Sequence, residues 1–357
     1  MPLESRAEWE RSLDQIVGQP GVVVVVGAAD SGKTSFCAIL ANRAVRAGIP
    51  TAVVDCDMGQ SEIGPPGTIG LGLVESEIAS LADLKPRAMY FIGTTNPVQH
   101  LLPTITGCSL MTEKAKSLGR ELIIVDTTGL VQGLLGRRLK TSKIQLLKPR
   151  HIVALQKGKE TEHFLRFFDT WTDCTVHRLS PSPHVHVKSA AIRTQRRGVR
   201  FYEYFSDARI HQLSLAGLST SGTWLKTGDA LEPKFLKFAE GALDTAVFHG
   251  EIFPGGVYLV TGGDYNKRGV IQLQEQFKTS GLVIVSASKY VNLLVGLIDD
   301  HLELLALGII KSIDFRAGTI SILTPLKSVS PVKSISFGDL KVRPNGSEIA
   351  RLRPGET

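Results

Sequence analysis

The chain has 357 residues, 43% of them hydrophobic and 21% charged, with a formal net charge of +7. Those proportions suit a packed two-domain protein, exclude long disorder, and favour an anionic partner. The most apolar late stretch, 290–310, is interrupted by Asp299, Asp300, His301 and Glu303, so it is excluded as a membrane span.

In chain order, the N-terminus is polar and lacks the apolar core of a signal peptide. Cys37, Cys56, Cys108 and Cys174 are scattered without a C-x-x-C pair, which fits reduced thiols in a cytoplasmic protein. Glu8–Val17 reads as a short helix. Val22–Val26 is an unbroken β-branched run, the pattern of a strand buried on both faces of a parallel sheet. It leads into Gly27, Ala28, Ala29, Asp30, Ser31, Gly32, Lys33 and Thr34, which meets the G-x-x-x-x-G-K-[ST] phosphate loop without a mismatch. The glycines let backbone N–H groups approach phosphate, Lys33 reaches the terminal phosphates, and Thr34 offers a hydroxyl to Mg²⁺. A helix over 34–47, with Ser35 in its first turn, points its positive end at the anion. A strand over Thr51–Asp55 follows, so the context that confirms the motif is present, and the chain is expected to bind ATP or another nucleoside triphosphate.

Asp57 lies just past that strand, which is expected to sit beside the phosphate-loop strand. A carboxylate there can accept the proton of an attacking hydroxyl or hold the metal. Asp55 lies inside the strand and is the weaker candidate. Strands are expected at Met89–Ile92 and His151–Leu155, and helices over 97–118 and 161–170. The second of these helices would put Phe164, Leu165, Phe167 and Phe168 in the core. Glu121–Asp126 is a buried strand ending in an acid, suited to magnesium, and Thr127-Thr128-Gly129 follows where hydroxyls and a glycine can approach phosphate.

From Lys188 to Arg200 there are five basic residues and no acid, where phosphate-loop kinases place a lid. Beyond Ser206 short apolar runs at 255–261, 269–273, 281–286, 293–298, 304–313 and 319–324 predict a strand-rich domain with one or two helices. The expected fold is therefore α/β: a P-loop NTPase with a doubly wound parallel sheet and a smaller strand-rich C-terminal domain. The domains are expected at 1–20 (an extension), 21–220 with a lid around 188–205, and 221–357. The boundary is soft, between Leu213 and Glu232.

Asp126-Thr127-Thr128-Gly129 has the D-x-x-G form of a GTPase switch, but no Asn/Thr-Lys-x-Asp box follows. A phosphotransferase needs an acceptor-side base and mobile positive charge, which Asp57 and the Lys188–Arg200 cluster supply. A nucleotide-holding scaffold with little turnover is the alternative, and a small-molecule kinase the third reading.

These motifs together resemble the polynucleotide 5′-hydroxyl kinases, the family of the pre-mRNA cleavage-factor and ribosomal-RNA-processing kinases. The family's acid-x-Asp-x-Gly-Gln segment and its Pro-Gly turn are similar to Asp55-Cys56-Asp57-Met58-Gly59-Gln60 and Pro66-Gly67. Its Thr-x-Gly-Trp clasp is similar to Thr127-Thr128-Gly129-Leu130, with leucine in place of tryptophan. Its lid resembles Lys188-Ser189-x-x-x-Arg193-x-x-x-Arg197, with lysine in place of the first arginine, followed by Glu203-Tyr204-Phe205. Only residues 1–20 precede the core, as in the minimal archaeal or bacterial form. The resemblance implies ATP and Mg²⁺ as cofactors and a free 5′-hydroxyl of RNA, or of DNA, as acceptor. It assigns Asp57 to the hydroxyl and the metal, and places Thr34 and Asp126 with Asp57 around magnesium. Gly27 to Ser35, Thr127 and Gly129 fall on nucleotide positions, and Gln60, Arg193 and Arg197 on substrate positions. Lys33, Arg193, Lys188 and Arg197 would neutralise the transferring group; Arg193 ranks above Lys188 because only a guanidinium makes a two-pronged phosphate contact.

Overall fold

The computed structural model describes residues 3–182, 187–353 and 355–357, and the chain divides into two compact units, Met1–Arg200 and Phe201–Thr357. The first unit runs α1 (Leu3–Gly18), β1 (Val22–Gly27), α2 (Lys33–Arg46), β2 (Thr51–Asp55), β3 (Thr68–Val74) and β4 (Pro86–Phe91). It continues with α3 (Leu101–Ser117), β5 (Leu122–Asp126), α4 (Gly133–Leu147), β6 (His151–Leu155), α5 (Glu162–Leu165), β7 (Thr175–Leu179) and α6 (Ala190–Phe205), whose last turn passes into the second unit.

The seven-stranded sheet has the order β4-β3-β2-β5-β1-β6-β7. β2, β5, β1, β6 and β7 are parallel, while β3 and β4 form an antiparallel edge. The valine run of β1 divides between two cores. Val22, Val24 and Val26 face α3, α4 and α5 residues such as Met111, Ile144 and Phe164. Val23 and Val25 face Phe36 and Leu40 of α2 and Trp9 and Leu13 of α1. Trp9 packs edge-on against Phe36 and donates its indole N–H to the Ser180 carbonyl at 2.9 Å, so α1 belongs to this unit rather than being a bare extension.

Several expectations are corrected. β2 does not neighbour β1, because β5 lies between them in parallel register with both. Residues 68–74, not foreseen as a strand, turn back along β2. The helix expected over 161–170 is a single turn, and Phe167 lies 53% exposed while Phe164, Leu165 and Phe168 are buried.

At the far edge, His151 Nε2 donates to the Gln19 carbonyl at 2.9 Å, leaving Nδ1 to accept from His177 Nε2 at 3.1 Å. Both rings are buried and neutral in this arrangement. Burial, reinforced by His151, pushes His177 down to about 4. The unfolded chain then binds more protons than the native one between the ordinary histidine range and about pH 4. The contribution of this one group to stability is therefore expected to be level above about pH 6.5 and to fall as pH drops below it, by up to about 1.4 kcal/mol per pH unit. Urea unfolding from pH 8 to 4.5 checks this. The stability of wild type relative to His177→Gln should fall below about pH 6.5, and a difference that does not change with pH rules the histidine pair out.

The second unit comprises β8 (Arg209–Ser214), β9 (Ser219–Ser221), β10 (Asp229–Ala230), α7 (Pro233–Leu243), β11 (Val247–Phe253), β12 (Gly256–Thr261), α8 (Gly269–Phe277) and β13 (Gly281–Ser286). It ends with β14 (Leu293–Ile298), β15 (Leu304–Asp314), β16 (Thr319–Thr324), β17 (Ser334–Val342) and β18 (Glu348–Arg351). One sheet is β10-β11-β12-β13; the other is β18-β17-β14-β15-β16-β8, with β9 paired to β17. The unit begins before 221 because β8 pairs along β16. The apolar run at 269–273 is part of helix α8, not a strand. β12 and β13 are parallel, and parallel neighbours require a crossover, which α8 supplies.

Candidate active site

The site is built on the C-terminal ends of β1, β2 and β5. A β-carbon on Gly27 would lie 2.5 Å from the Leu155 carbonyl, so the loop can leave β1 here only without a side chain. Gly32 has φ +88, the left-handed region glycine adopts without cost, and it starts α2 with that helix's N-terminus facing the cleft. Lys33 Nζ donates to the Ala28 carbonyl at 2.7 Å, and the buried Ser31 hydroxyl has no partner among the described residues. Thr34 Oγ1 donates to Asp126 Oδ2 at 2.6 Å.

Asp126 and Asp55 are paired in register on adjacent parallel strands, and both are buried. Burial, with Asp126 beside it, raises Asp55 to about 8. Burial likewise raises Asp126, to about 6, against the pull of Lys33 and of the Thr34 hydrogen bond. Asp126 Oδ1 is buried with no hydrogen-bond partner among the described residues. An orphaned carboxylate oxygen next to a threonine hydroxyl, in a pocket that penalises negative charge, fits a hard divalent cation such as Mg²⁺.

Asp55 is an organiser of the loop that follows. Its Oδ1 accepts from the Asp57 amide at 3.0 Å, and its Oδ2 accepts from the Glu62 and Ile63 amides at 2.6 and 3.1 Å. Asp57 sits on that loop, where its Oδ1 accepts from the Gly59 and Gln60 amides, both at 3.1 Å. These bonds occupy one oxygen of a carboxylate that lines the cleft.

The cleft has a volume of about 590 Å³ and is lined by residues 29–35, Asp57, Gln60, Glu62, Lys188, Arg193 and Arg196, and, further along α2, by Ile39, Asn42 and residues 79–82. The phosphate loop, the Asp57 carboxylate and the first turn of α6 thus meet in one space. Arg193 bonds Asp30 at 2.6 Å, and Arg196 bonds Glu62 at 3.1 Å. Arg197 does not line this cleft, and its guanidinium donates to Thr194 Oγ1 at 2.9 Å.

Thr127 is placed differently from the phosphate contact expected of its hydroxyl. It is buried, donates its one hydroxyl proton to the Val25 carbonyl at 2.8 Å, and accepts from Lys140 Nζ at 2.8 Å. Gly129 instead lies against the phosphate loop: a β-carbon there would sit 2.6 Å from the Ala29 amide nitrogen. Lys140 also donates to the Thr128 carbonyl at 2.6 Å, so a fully buried lysine amine pins the turn after β5 beneath the loop. Burial drives its pKa well below the usual lysine value. The sequence analysis missed Lys140. The available signal was helical spacing, since residues 136, 139, 140, 143, 144 and 147 form the buried face of α4 and place two lysines on it.

A phosphate loop at the start of α2, a strand-end aspartate bonded to its threonine, and a parallel sheet around them define a P-loop nucleotide-binding protein. Within that class, the chain belongs to the mRNA cleavage and polyadenylation factor CLP1 P-loop family, whose model matches residues 27–207. It is 32% identical over 336 residues to the polyribonucleotide 5′-hydroxyl-kinase of Methanocaldococcus jannaschii, covering 94% of this chain and 90% of that one. To the polyribonucleotide 5′-hydroxyl-kinase of Pyrococcus furiosus it is 33% identical over 334 residues, covering 94% and 91%. The solved structure of the wild-type Clp1p–Pcf11p complex aligns over 94% of this chain and 79% of that one, with a TM-score of 0.61 at 12% identity, a likeness of fold. No helix among the described residues is long and apolar enough to cross a membrane.

Proposed function

We propose that this protein is an ATP-dependent polyribonucleotide 5′-hydroxyl kinase. The observation that carries the reading is the meeting of the phosphate loop, Asp57 and Arg193 in one cleft. Close relatives named for this activity, matching nearly end to end, support it.

Lys33 and the amides of residues 27–35 hold the β- and γ-phosphates of ATP. Thr34 and Asp126 hold Mg²⁺, which neutralises charge on those phosphates when bound. Asp57 orients the RNA 5′-hydroxyl and accepts its proton as the 5′-oxygen bonds to the γ-phosphorus. The bond from that phosphorus to the β–γ bridging oxygen breaks, giving ADP and a 5′-phosphate end. Arg193, with Lys188 beside it, stabilises charge on the transferring group. Gln60 lies on the acceptor side with Asp57, and Gly129 gives the phosphate loop room to seat.

Transfer from γ-labelled ATP to matched 5′-hydroxyl RNA and DNA oligonucleotides tests the function. Label on the 5′ end that is lost in Lys33→Ala establishes the kinase, and the RNA-to-DNA ratio sets the acceptor. A folded protein that binds ATP and labels neither is a nucleotide-holding scaffold instead.

A further inference from the structure

We propose that Asp30 is a positioning residue that latches Arg193 over the phosphate loop; the kinetic part of its test rests on the kinase reading above.

A carboxylate inside an anion-binding loop is electrostatically misplaced. The loop amides and the positive end of α2 attract phosphate, and a negative side chain among them repels it. Asp30 also takes φ +55, a left-handed conformation that a residue with a β-carbon adopts only at a cost. An uncompensated aspartate would weaken the loop on both counts. Here it is compensated. Its Oδ2 accepts from the Arg193 guanidinium at 2.6 Å and from the Lys188 backbone amide at 3.0 Å, and its side chain is only 11% exposed.

The partners of Asp30 all come from the start of the lid. Residues 190–192, 194 and 195 of α6 are exposed, so apolar burial does not hold this turn in place. Polar ties to two loops do. On the acceptor side these are Arg196 to Glu62 at 3.1 Å and Gln60 Nε2 to the Arg193 carbonyl at 3.4 Å. On the donor side the tie is Asp30, and only this one grips the Arg193 guanidinium itself. A guanidinium has five N–H donors in a fixed fork, so bonding one carboxylate oxygen leaves others for phosphoryl oxygens. The latch therefore places the arginine for catalysis rather than sequestering it. Its negative charge is neutralised by the group it holds.

Hydrogen exchange reads the latch directly, without substrate. In nucleotide-free Asp30→Asn, amides of residues 188–194 should exchange faster than in wild type while those of α2 keep their protection. Arg193→Ala, a change on the exposed lid, should free the same amides. Kinetically, Asp30→Asn should lower kcat by roughly ten- to a hundredfold, the scale of a misplaced catalytic contact, with no rise in KM for ATP. In the Arg193→Ala background, Asp30→Asn should then cost nothing more. Unchanged exchange at the lid, or losses that add, overturn the latch. A wild-type protein without kinase activity overturns the functional reading instead, and the exchange experiment still decides the latch.

Discussion

Asp57→Ala is expected to lower the rate of 5′-phosphorylation about a thousandfold, within the usual range for losing a positioned general base. That loss corresponds to about 4 kcal/mol of transition-state stabilisation. ATP affinity should stay within about threefold of wild type, because Lys33, the loop amides and the Thr34–Asp126 bond lie outside the change. The geometry separates three acids that are close in sequence and space. Asp55 spends both oxygens on the 56–63 loop, Asp126 spends one on Thr34, and of the three only Asp57, with one oxygen on the Gly59 and Gln60 amides, lines the cleft. Asp126→Ala should act through the metal, and Asp55→Asn through loop order. Single-turnover transfer with parallel ATP-binding measurements checks the assignment. Loss of transfer in Asp126→Ala with Asp57→Ala still active would move the base to Asp126.

Gly70→Ala should unfold the site from beneath. Gly70 lies on β3 opposite Asp55, and the Ile63 carbonyl crosses directly over it. A β-carbon at Gly70 would lie 1.9 Å from that oxygen, a backbone atom with no flexible end to swing away. Either β3 or the 56–63 loop must move, and moving the loop breaks the bonds from the Glu62 and Ile63 amides to Asp55. A cost of about 4 kcal/mol is expected, at the upper end for single substitutions. That corresponds to a fall in Tm of about 10 °C for a unit of this size. Residual activity at low temperature should drop with it, since Asp57 and Gln60 ride on the displaced loop. Melting within about 2 °C of wild type would show that the loop yields freely.

The nucleotide half of the site was legible in the sequence because its chemistry is local. Eight consecutive residues carry the phosphate loop, and each works through its own backbone or side chain next to the helix it begins. The Val22–Val26 run, the acid closing Leu122–Asp126, and the lid basics were likewise visible as contiguous patterns. What lay out of sight was pairing between distant segments. The insertion of β5 between β1 and β2, and the return of β3 along β2, depend on which strands bury best together, and no short window records that. The same holds for side chains whose roles are set by a neighbour far along the chain. Thr127 turns inward because Lys140 lies beneath it, and Asp30 is tolerable because Arg193 reaches it across 163 residues. The sequence determined the phosphate loop and the helix it begins, since backbone amides and a helix end need only short spacing. Tertiary structure alone decided how each of three neighbouring carboxylates is bonded, because partners such as Thr34 for Asp126 meet only when strands distant in sequence pair.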